Sequence, residues 1–536
     1  MPPSASLDRL PVELWLACFS LCSIRQLRRL CSVCRTFREI CFPLSIQHQS
    51  IDLRVLRRGI ERANWIQRTQ QLHRAAVRLD RLGNNADSVR SLRFVACGPD
   101  FQPLSQVYPY IRHISQFDTL CARIDSTFIR TLPLYRNLRT LHITQLRIDG
   151  PVQGVLRSLP VLEDLTLSGC PILSWDGEPL RLRAFGIEGE PRPGPWDTAP
   201  LPLVAADTLQ RLHMNHSSQS MAIILGFGAT PLPQLTHLSL EVVCEGILSF
   251  LYHCPNVESL QIAAHAAPSS IPSHIPSSFL PALREFIGPR EVLRAFISNR
   301  PVHAVTLVGK RPGLGGHPDM SPTDLSLALD DISSTSVPLQ SLSLPRSTAP
   351  TVDVLADISV RFPELRELRL TLVKKYGGAG LRMFPGPPDK SLDTREPVLD
   401  DETAFDGIGT ADDDMSDSEE PTLVVPSITA KQSEPGPLHT ILDWIVSRTI
   451  CLPSTLEILT LQLAGLSPAY ALSNTIASMD AGTISPGDAH QFLTALSRLY
   501  PLLRELHVGY VDEEPWVRET LGVVWRKRNL YVRMDG

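Results

Sequence analysis

Apolar residues recur along most of the chain in one short pattern, L-x-x-L-x-L, with Leu sometimes exchanged for Val, Ile, Phe or Met. It reads VRSLRF at 89, LRTLHI at 138, LEDLTL at 162, LRAFGI at 182, LQRLHM at 209, LTHLSL at 235 and VESLQI at 257. It continues as VHAVTL at 302, LQSLSL at 339, LRELRL at 365, LEILTL at 456 and LRELHV at 503, with weaker copies IRHISQ at 111 and LREFIG at 283. Most successive starts lie 19 to 27 residues apart, with wider gaps before 339, 456 and 503. The alternation in L-x-L predicts a short strand with one face turned inward. One such strand cannot bury that face alone. Many of them stacked at one period share a continuous core, so the pattern predicts an α/β solenoid with parallel strands on its concave face. Pro residues ahead of several copies (Leu159-Pro160, Leu232-Pro233, Cys254-Pro255, Phe362-Pro363, Tyr500-Pro501) would end the preceding helical segment and start the return to the strand.

The flanks and gaps read differently. Residues 54–82 carry a helical pattern (Leu56, Ile60, Ala63, then Leu72, Ala76, Leu79). Residues 375–437 are rich in Gly, Pro, Ser and Asp and predict a disordered acidic insertion, and a second polar insertion is expected near 311–336. Beyond them, 438–536 resume with two repeats and end in a tryptophan-bearing piece (Trp516, Trp525), read as a helical cap. The expected organisation is therefore a small helical module at 1–46, a helical connector at 47–85, a solenoid at 86–374, the insertion at 375–437, and terminal repeats with a cap at 438–536.

The first module contains LPVELWLACFSLC at 10–22, which admits three readings. A secretory signal needs a basic start, but Asp8 and Glu13 stand where positive charge belongs. Half of a metal site could use Cys18, Cys22, Cys31 and Cys34, yet 24–41 lacks the Gly or Pro of a zinc knuckle. The helical reading fits best. Ser6 or Asp8 can cap a helix with Pro11 in its first turn and Leu14, Cys18 and Leu21 on one face. A second helix, Ile24 to Cys41, places Leu27, Leu30, Cys34, Phe37 and Cys41 at 3,4 spacing, with arginines on its other sides. Helices this short need a partner or the rest of the chain to bury both faces.

Two family resemblances follow. The period and signature of the repeats resemble the leucine-rich repeat, and LEDLTLSGC at 162 adds the Cys of its longer L-x-x-L-x-L-x-x-N/C form. Leu10-Pro11-x-Glu13-Leu14, then Phe19, Leu27 and Val33-Cys34-Arg35-x-Phe37-Arg38 look like an F-box. Cys18 stands where that family usually has Ile or Val, and Cys22 where it usually has Leu. The resemblance implies docking to a Skp-type adaptor and, through it, to a cullin–RING ubiquitin ligase. Carried over by position, the adaptor contacts would be Leu10, Pro11, Leu14, Leu27, Val33, Cys34 and Phe37.

Charge and chemistry sharpen this picture. Net charge is −5, but ten acidic residues and no basic one lie in 398–420, so the rest of the chain sums to 51 − 46 = +5. Residues 1–81 hold fourteen Arg against six Asp and Glu, with no Lys, on the polar sides of amphipathic stretches. That placement suits a protein-binding or solvated face better than nucleic acid. Eleven cysteines, mostly isolated, point to the reducing cytosol or nucleus, and no apolar run reaches the length of a membrane span. Nucleophile-elbow, H-E-x-x-H and phosphate-loop motifs are all lacking. The expectation is a non-catalytic protein needing no cofactor or metal. Ser416 and Ser418 sit in an acidic run that resembles a kinase site. The concave face would be lined by the residues at the x of L-x-L, among them His142, Thr166, His213, Ser239, Gln261, Arg369, Thr460 and His507, which would contact an unknown protein target. The leading reading is a substrate-recognition subunit of an SCF-type ubiquitin ligase. The alternatives are an interaction scaffold with a drifted F-box, or a metal enzyme built on the four N-terminal cysteines.

Overall fold

The computed structural model describes residues 11–53, 65–96, 114–172, 174–189, 199–215, 217–240, 245–262, 275–276, 278–309, 320–347, 352–373, 437–464, 486–510, 515–518 and 525–527. The chain opens with helices α1 (Val12–Ser20), α2 (Ile24–Leu30) and α3 (Arg35–Ile46). Gln47 alone separates α3 from the first strand, β1 (His48–Asp52); α4 (Trp65–Gly83), β2 (Ser91–Val95) and α5 (Ile114–Thr131) follow. The strands then run β3 (Thr140–Thr144), β4 (Asp164–Ser168), β5 (Ala184–Glu188), β6 (Arg211–Asn215), β7 (His237–Leu240), β8 (Ser259–Ile262) and β9 (Glu285–Gly288). They continue as β10 (Ala304–Leu307), β11 (Ser341–Ser347), β12 (Glu367–Val373), β13 (Ile458–Ala464), β14 (Glu505–Tyr510), β15 (Trp516–Arg518) and β16 (Trp525–Lys527). All sixteen form one sheet in chain order. The first fourteen are parallel neighbours, and the last two add antiparallel.

The parallel sheet resembles that of leucine-rich-repeat solenoids. Thirteen of the fourteen motif copies begin two residues before a strand, so their middle apolar residue falls on one inward row. That row runs Leu92, Leu141, Leu165, Phe185, Leu212, Leu238, Leu260 and on to Leu506, each in register with the next. Every one of these is buried in a core that extends without a break from Ile51 to Leu506. A backbone ladder fixes the register. The Arg90 carbonyl accepts from both Arg139 N–H and Thr140 N–H (2.8 and 3.0 Å), and the Arg139 carbonyl accepts from Glu163 and Asp164 (both 2.9 Å). The same fork recurs to the last repeat, where the Glu457 carbonyl takes Arg504 and Glu505. Cys170, the motif cysteine, turns inward, and its thiol donates to the Ile143 carbonyl of the preceding repeat (3.4 Å). Burial pushes that thiol up to about 12, so it serves as a neutral donor.

Several expectations change. The solenoid starts before 86: β1 lies inside the stretch read as a helical connector and pairs with β2. Of the fourteen motif copies, IRHISQ at 111 has its described part, from Ile114 onward, in α5 rather than in a strand. The stretch read as a polar insertion near 311–336 holds a helix, Pro322–Ile332, whose Ser321 caps it through Asp324 N–H (3.1 Å). The C-terminal piece is a β-hairpin-like pair of strands rather than a helix, with Trp525 Nε1 donating to Ser497 Oγ (2.6 Å). The end of a parallel sheet offers unpaired N–H and C=O groups, and a β-former such as Trp-Val-Arg satisfies them as a strand. The insertion 375–436, with Ser416 and Ser418, lies outside the described residues.

One buried cation belongs to the fold alone. Arg300 is 1% exposed and meets no carboxylate among the described residues. Its guanidinium donates to the carbonyls of Phe279 (2.9 Å), Ile275 (3.2 Å), Pro276 (2.8 Å), Ala295 (3.1 Å), Phe296 (3.0 Å) and Ser298 (3.4 Å). It thereby satisfies the last carbonyls of the helix Arg290–Ile297 and ties them to the preceding loop.

Candidate binding surfaces: the N-terminal bundle and the open sheet face

The bundle is held by reciprocal caps. Ser23 N–H donates to Gln26 Oε1 (2.8 Å), and Gln26 N–H donates back to Ser23 Oγ (3.4 Å), a capping box that starts α2. The single helix expected from Ile24 to Cys41 is instead two. Cys34 is the N-cap of α3, its Sγ accepting Phe37 N–H (3.4 Å), and the break between the helices needs neither Gly nor Pro. Arg38 Nε holds the turn by donating to the Cys31 carbonyl (3.1 Å).

The bundle core is small: Phe19, Leu27, Phe37, Ile40 and Cys41, separate from the solenoid core. Trp15 packs on it, with ring centroids 5.3 Å from Phe19 and 5.2 Å from Phe37, and Phe19 meets Phe37 edge-on at 5.1 Å. Sequence reasoning passed over Trp15, although its spacing of four from Phe19 was the available signal. Burial, with the nearby Cys31, Cys22 and Cys34 thiols, pushes Cys41 up to about 11. Among the described residues no group of His, Cys, Asp and Glu is arranged to hold a metal ion.

The expected adaptor contacts fall into two sets. Leu27 and Phe37 are core, and Cys34 is half-buried as the cap. Pro11, Leu14 and Val33 lie on the surface, and Leu10 is outside the described residues. Leu14 is 52%, Val33 63% and Leu21 82% exposed, and Val12, Leu16 and Ile24 add further apolar surface. The face expected to carry Leu14, Cys18 and Leu21 thus turns to solvent, and Trp15 and Phe19 turn inward. For a bundle with five buried core residues this is a large apolar excess.

The bundle joins the solenoid through a polar contact. In β1 the inward position held elsewhere by Leu, Phe or Val is Gln49, which is buried. Gln49 Nε2 donates to the Ser45 carbonyl of α3 (3.3 Å), and its Oε1 accepts from Arg78 of α4 (2.7 Å). Burial, and then the neighbouring Arg28, hold the Arg78 guanidinium below its ordinary value.

On the open face of the sheet, all eight expected target contacts share one register row. His142 pairs with Thr166, then Gly186, His213, Ser239, Gln261, Ile287, Thr306, Ser343, Arg369, Thr460 and His507. Seven of the eight are exposed or half-exposed, whereas Thr460 is buried. Short ionic contacts organise the face. Glu163 sits between Arg139 (3.6 Å) and Arg183 (3.5 Å), and Glu457 between Arg366 (3.6 Å) and Arg504 (2.7 Å). His507 Nε2 lies 2.6 Å from Glu505, Arg369 Nε 2.7 Å from Glu367, and His213 Nε2 3.9 Å from Glu188.

Residues 7–46 match the F-box domain family. The chain carries an F-box. That match covers both halves of the bundle, the capped turn at Cys34 included, and the F-box stands directly ahead of the leucine-rich-repeat solenoid. No curated protein matches the chain. Among solved structures, the chain is similar to TLR13 in its complex with ssRNA13 (14% identity, 54% of this chain, TM-score 0.22), the match spanning 29% of that chain. It is also similar to the Leptospira interrogans LRR protein LIC12759 (12% identity, 55% of this chain and 80% of that one, TM-score 0.20). The repeat architecture rests on the sheet itself, independently of these superpositions. An F-box thus stands ahead of a repeat solenoid, and both kinds of module typically serve protein interaction.

Proposed function

We propose that this protein is a non-catalytic substrate receptor of an SCF-type ubiquitin ligase, its F-box docking a Skp-type adaptor and its open sheet face holding the target. The observation that carries the reading is the apolar surface of Leu14, Leu21 and Val33 on a bundle that matches the F-box family. F-box domains bind adaptors of the Skp type. Leu14→Asp and Val33→Asp both alter surface positions, so they are expected to abolish co-purification with the adaptor while shifting stability by no more than about 0.5 kcal/mol. Wild-type protein that never retains the adaptor, or variants that retain it fully, would end the proposal.

A second reading, an interaction scaffold in which the F-box only caps the solenoid, is favoured by the direct passage of α3 into β1. It requires that removing 1–46 unfold the first repeats.

A further inference from the structure

The two ends of the open face carry equal numbers of arginines and opposite provision for them. At the C-terminal end, β12 to β14 and the residues just before them present Arg366, Arg369 and Arg504 with Glu367, Glu457 and Glu505. Each guanidinium there meets a carboxylate, Arg366 and Arg504 sharing Glu457 and Arg369 taking Glu367. At the N-terminal end, β1 to β3 present Arg90, Arg93 and Arg139 with Asp52 alone as acid. Arg139 shares Glu163 of the next repeat with Arg183. Arg90 and Arg93 are exposed and have no carboxylate partner among the described residues. Over the strands and the two residues before each, the formal sums are 3 − 3 = 0 at one end and 3 − 1 = +2 at the other.

Register places further donors beside Arg90 and Arg93. Arg93 is the direct partner of His142, and the Arg90 carbonyl accepts the Arg139 N–H, so these side chains lie on adjacent strands about 4.8 Å apart. Around them are Ser50, Ser91 and Thr140, which donate or accept hydrogen bonds without adding charge. A guanidinium presents a planar fork of donors that matches a carboxylate. No Trp, Tyr or Phe faces out from β1 to β3, Phe94 being turned into the core, so the surface lacks the stacking platforms that single-stranded nucleic acid uses.

We propose that the N-terminal end of the open face binds a carboxylate-rich polypeptide segment of the partner protein, gripped by Arg90 and Arg93. This rests on the receptor reading only for the identity of the partner as a ligase target; the surface and its chemistry stand apart from the F-box.

The test is fluorescence anisotropy on the full chain with a labelled poly-glutamate peptide of about twelve residues, long enough to cross several strands. Adaptor co-purification is run on the same preparations. The expected result is binding that weakens as ionic strength rises from about 0.05 to about 0.3 M. The double variant Arg90→Glu/Arg93→Glu is expected to lose at least about tenfold in affinity. Arg366→Glu/Arg369→Glu is expected to stay within about twofold of wild type, both doubles keeping the wild-type melting curve. Equal losses in the two doubles, or no binding by the full chain, overturns the proposal. So does a poly-uridine oligonucleotide that binds as tightly and is lost with the same variant. Binding that emerges only when residues 398–420 are deleted would make the chain's own acidic segment the occupant and likewise overturn it. Adaptor binding retained alongside failure to bind the peptide sinks this inference and leaves the receptor reading standing; the converse sinks only the latter.

Discussion

The F-box bundle and the solenoid are built from the same amphipathic rules and dispose of their apolar residues in opposite ways. In the solenoid nearly every Leu of the motif is consumed by the neighbouring repeat, giving one core from Ile51 to Leu506. In the bundle, five residues are buried while Val12, Leu14, Leu16, Leu21, Ile24 and Val33 face solvent. The difference teaches that stacking supplies each repeat with its partner from within the chain, whereas a bundle this small must find its partner outside. The polar joint Ser45–Gln49–Arg78 keeps the two cores apart at the point where they meet.

The largest effect should come from Phe37→Ala. Loss of a buried Phe costs about 3–5 kcal/mol, more than so small a core can absorb. Hydrogen exchange is expected to become fast across 12–46 and to stay slow in β3 to β6. Slowed exchange throughout, or loss of protection in the solenoid as well, would break the separation of the two cores.

Arg300→Met tests the solenoid's side of the contrast. Six carbonyls lose a shared donor, and the expected cost is about 3 kcal/mol in urea unfolding, with the bundle's exchange unchanged. A cost below about 0.5 kcal/mol would mean that water satisfies those carbonyls as well as the guanidinium does.

The smallest effect is a pH dependence. Asp125 of α5 is largely buried, with Oδ1 lacking a hydrogen-bond partner among the described residues, and desolvation pushes its carboxyl up to about 7. The folded value lies above the unfolded one, so the unfolded chain ionises first. Stability should therefore fall as pH rises from about 4 to about 7 and level off above that. Allowing for residual exposure, the span is about 1–2 kcal/mol. Thermal melts at pH 5 and pH 8 should differ less in Asp125→Asn than in wild type, while exchange in the bundle shows no corresponding change.

Thirteen of the fourteen motif copies became strands because a Leu at every second position can only be an inward row. The two errors mirror each other. IQHQSI at 46 has Gln in place of the middle Leu and was passed over, yet it is β1, because at the end of the stack Ser45 and Arg78 satisfy the buried amide. IRHISQ at 111 has the two leading apolar residues and was accepted, yet from Ile114 onward the chain is α5, packed beside α4. The bundle's helices were legible in outline, but their break at Cys34 was not, since the 3,4 spacing continues across it.

By itself, then, the sequence determined the repeat, its inward row, the register row of the eight open-face candidates and the F-box of residues 7–46, because each is a matter of residue type at fixed spacing. Tertiary structure alone decided which of the six described adaptor-contact candidates are buried and which are surface, since Leu27 and Leu14 are the same residue type in similar helical settings. It also decided that Trp516 and Trp525 pair as strands on an open sheet edge. And it decided that three arginines at one end of the sheet find carboxylates while Arg90 and Arg93 at the other find none among the described residues. Spacing tells which way a side chain points, but only the packed neighbours determine what it meets there.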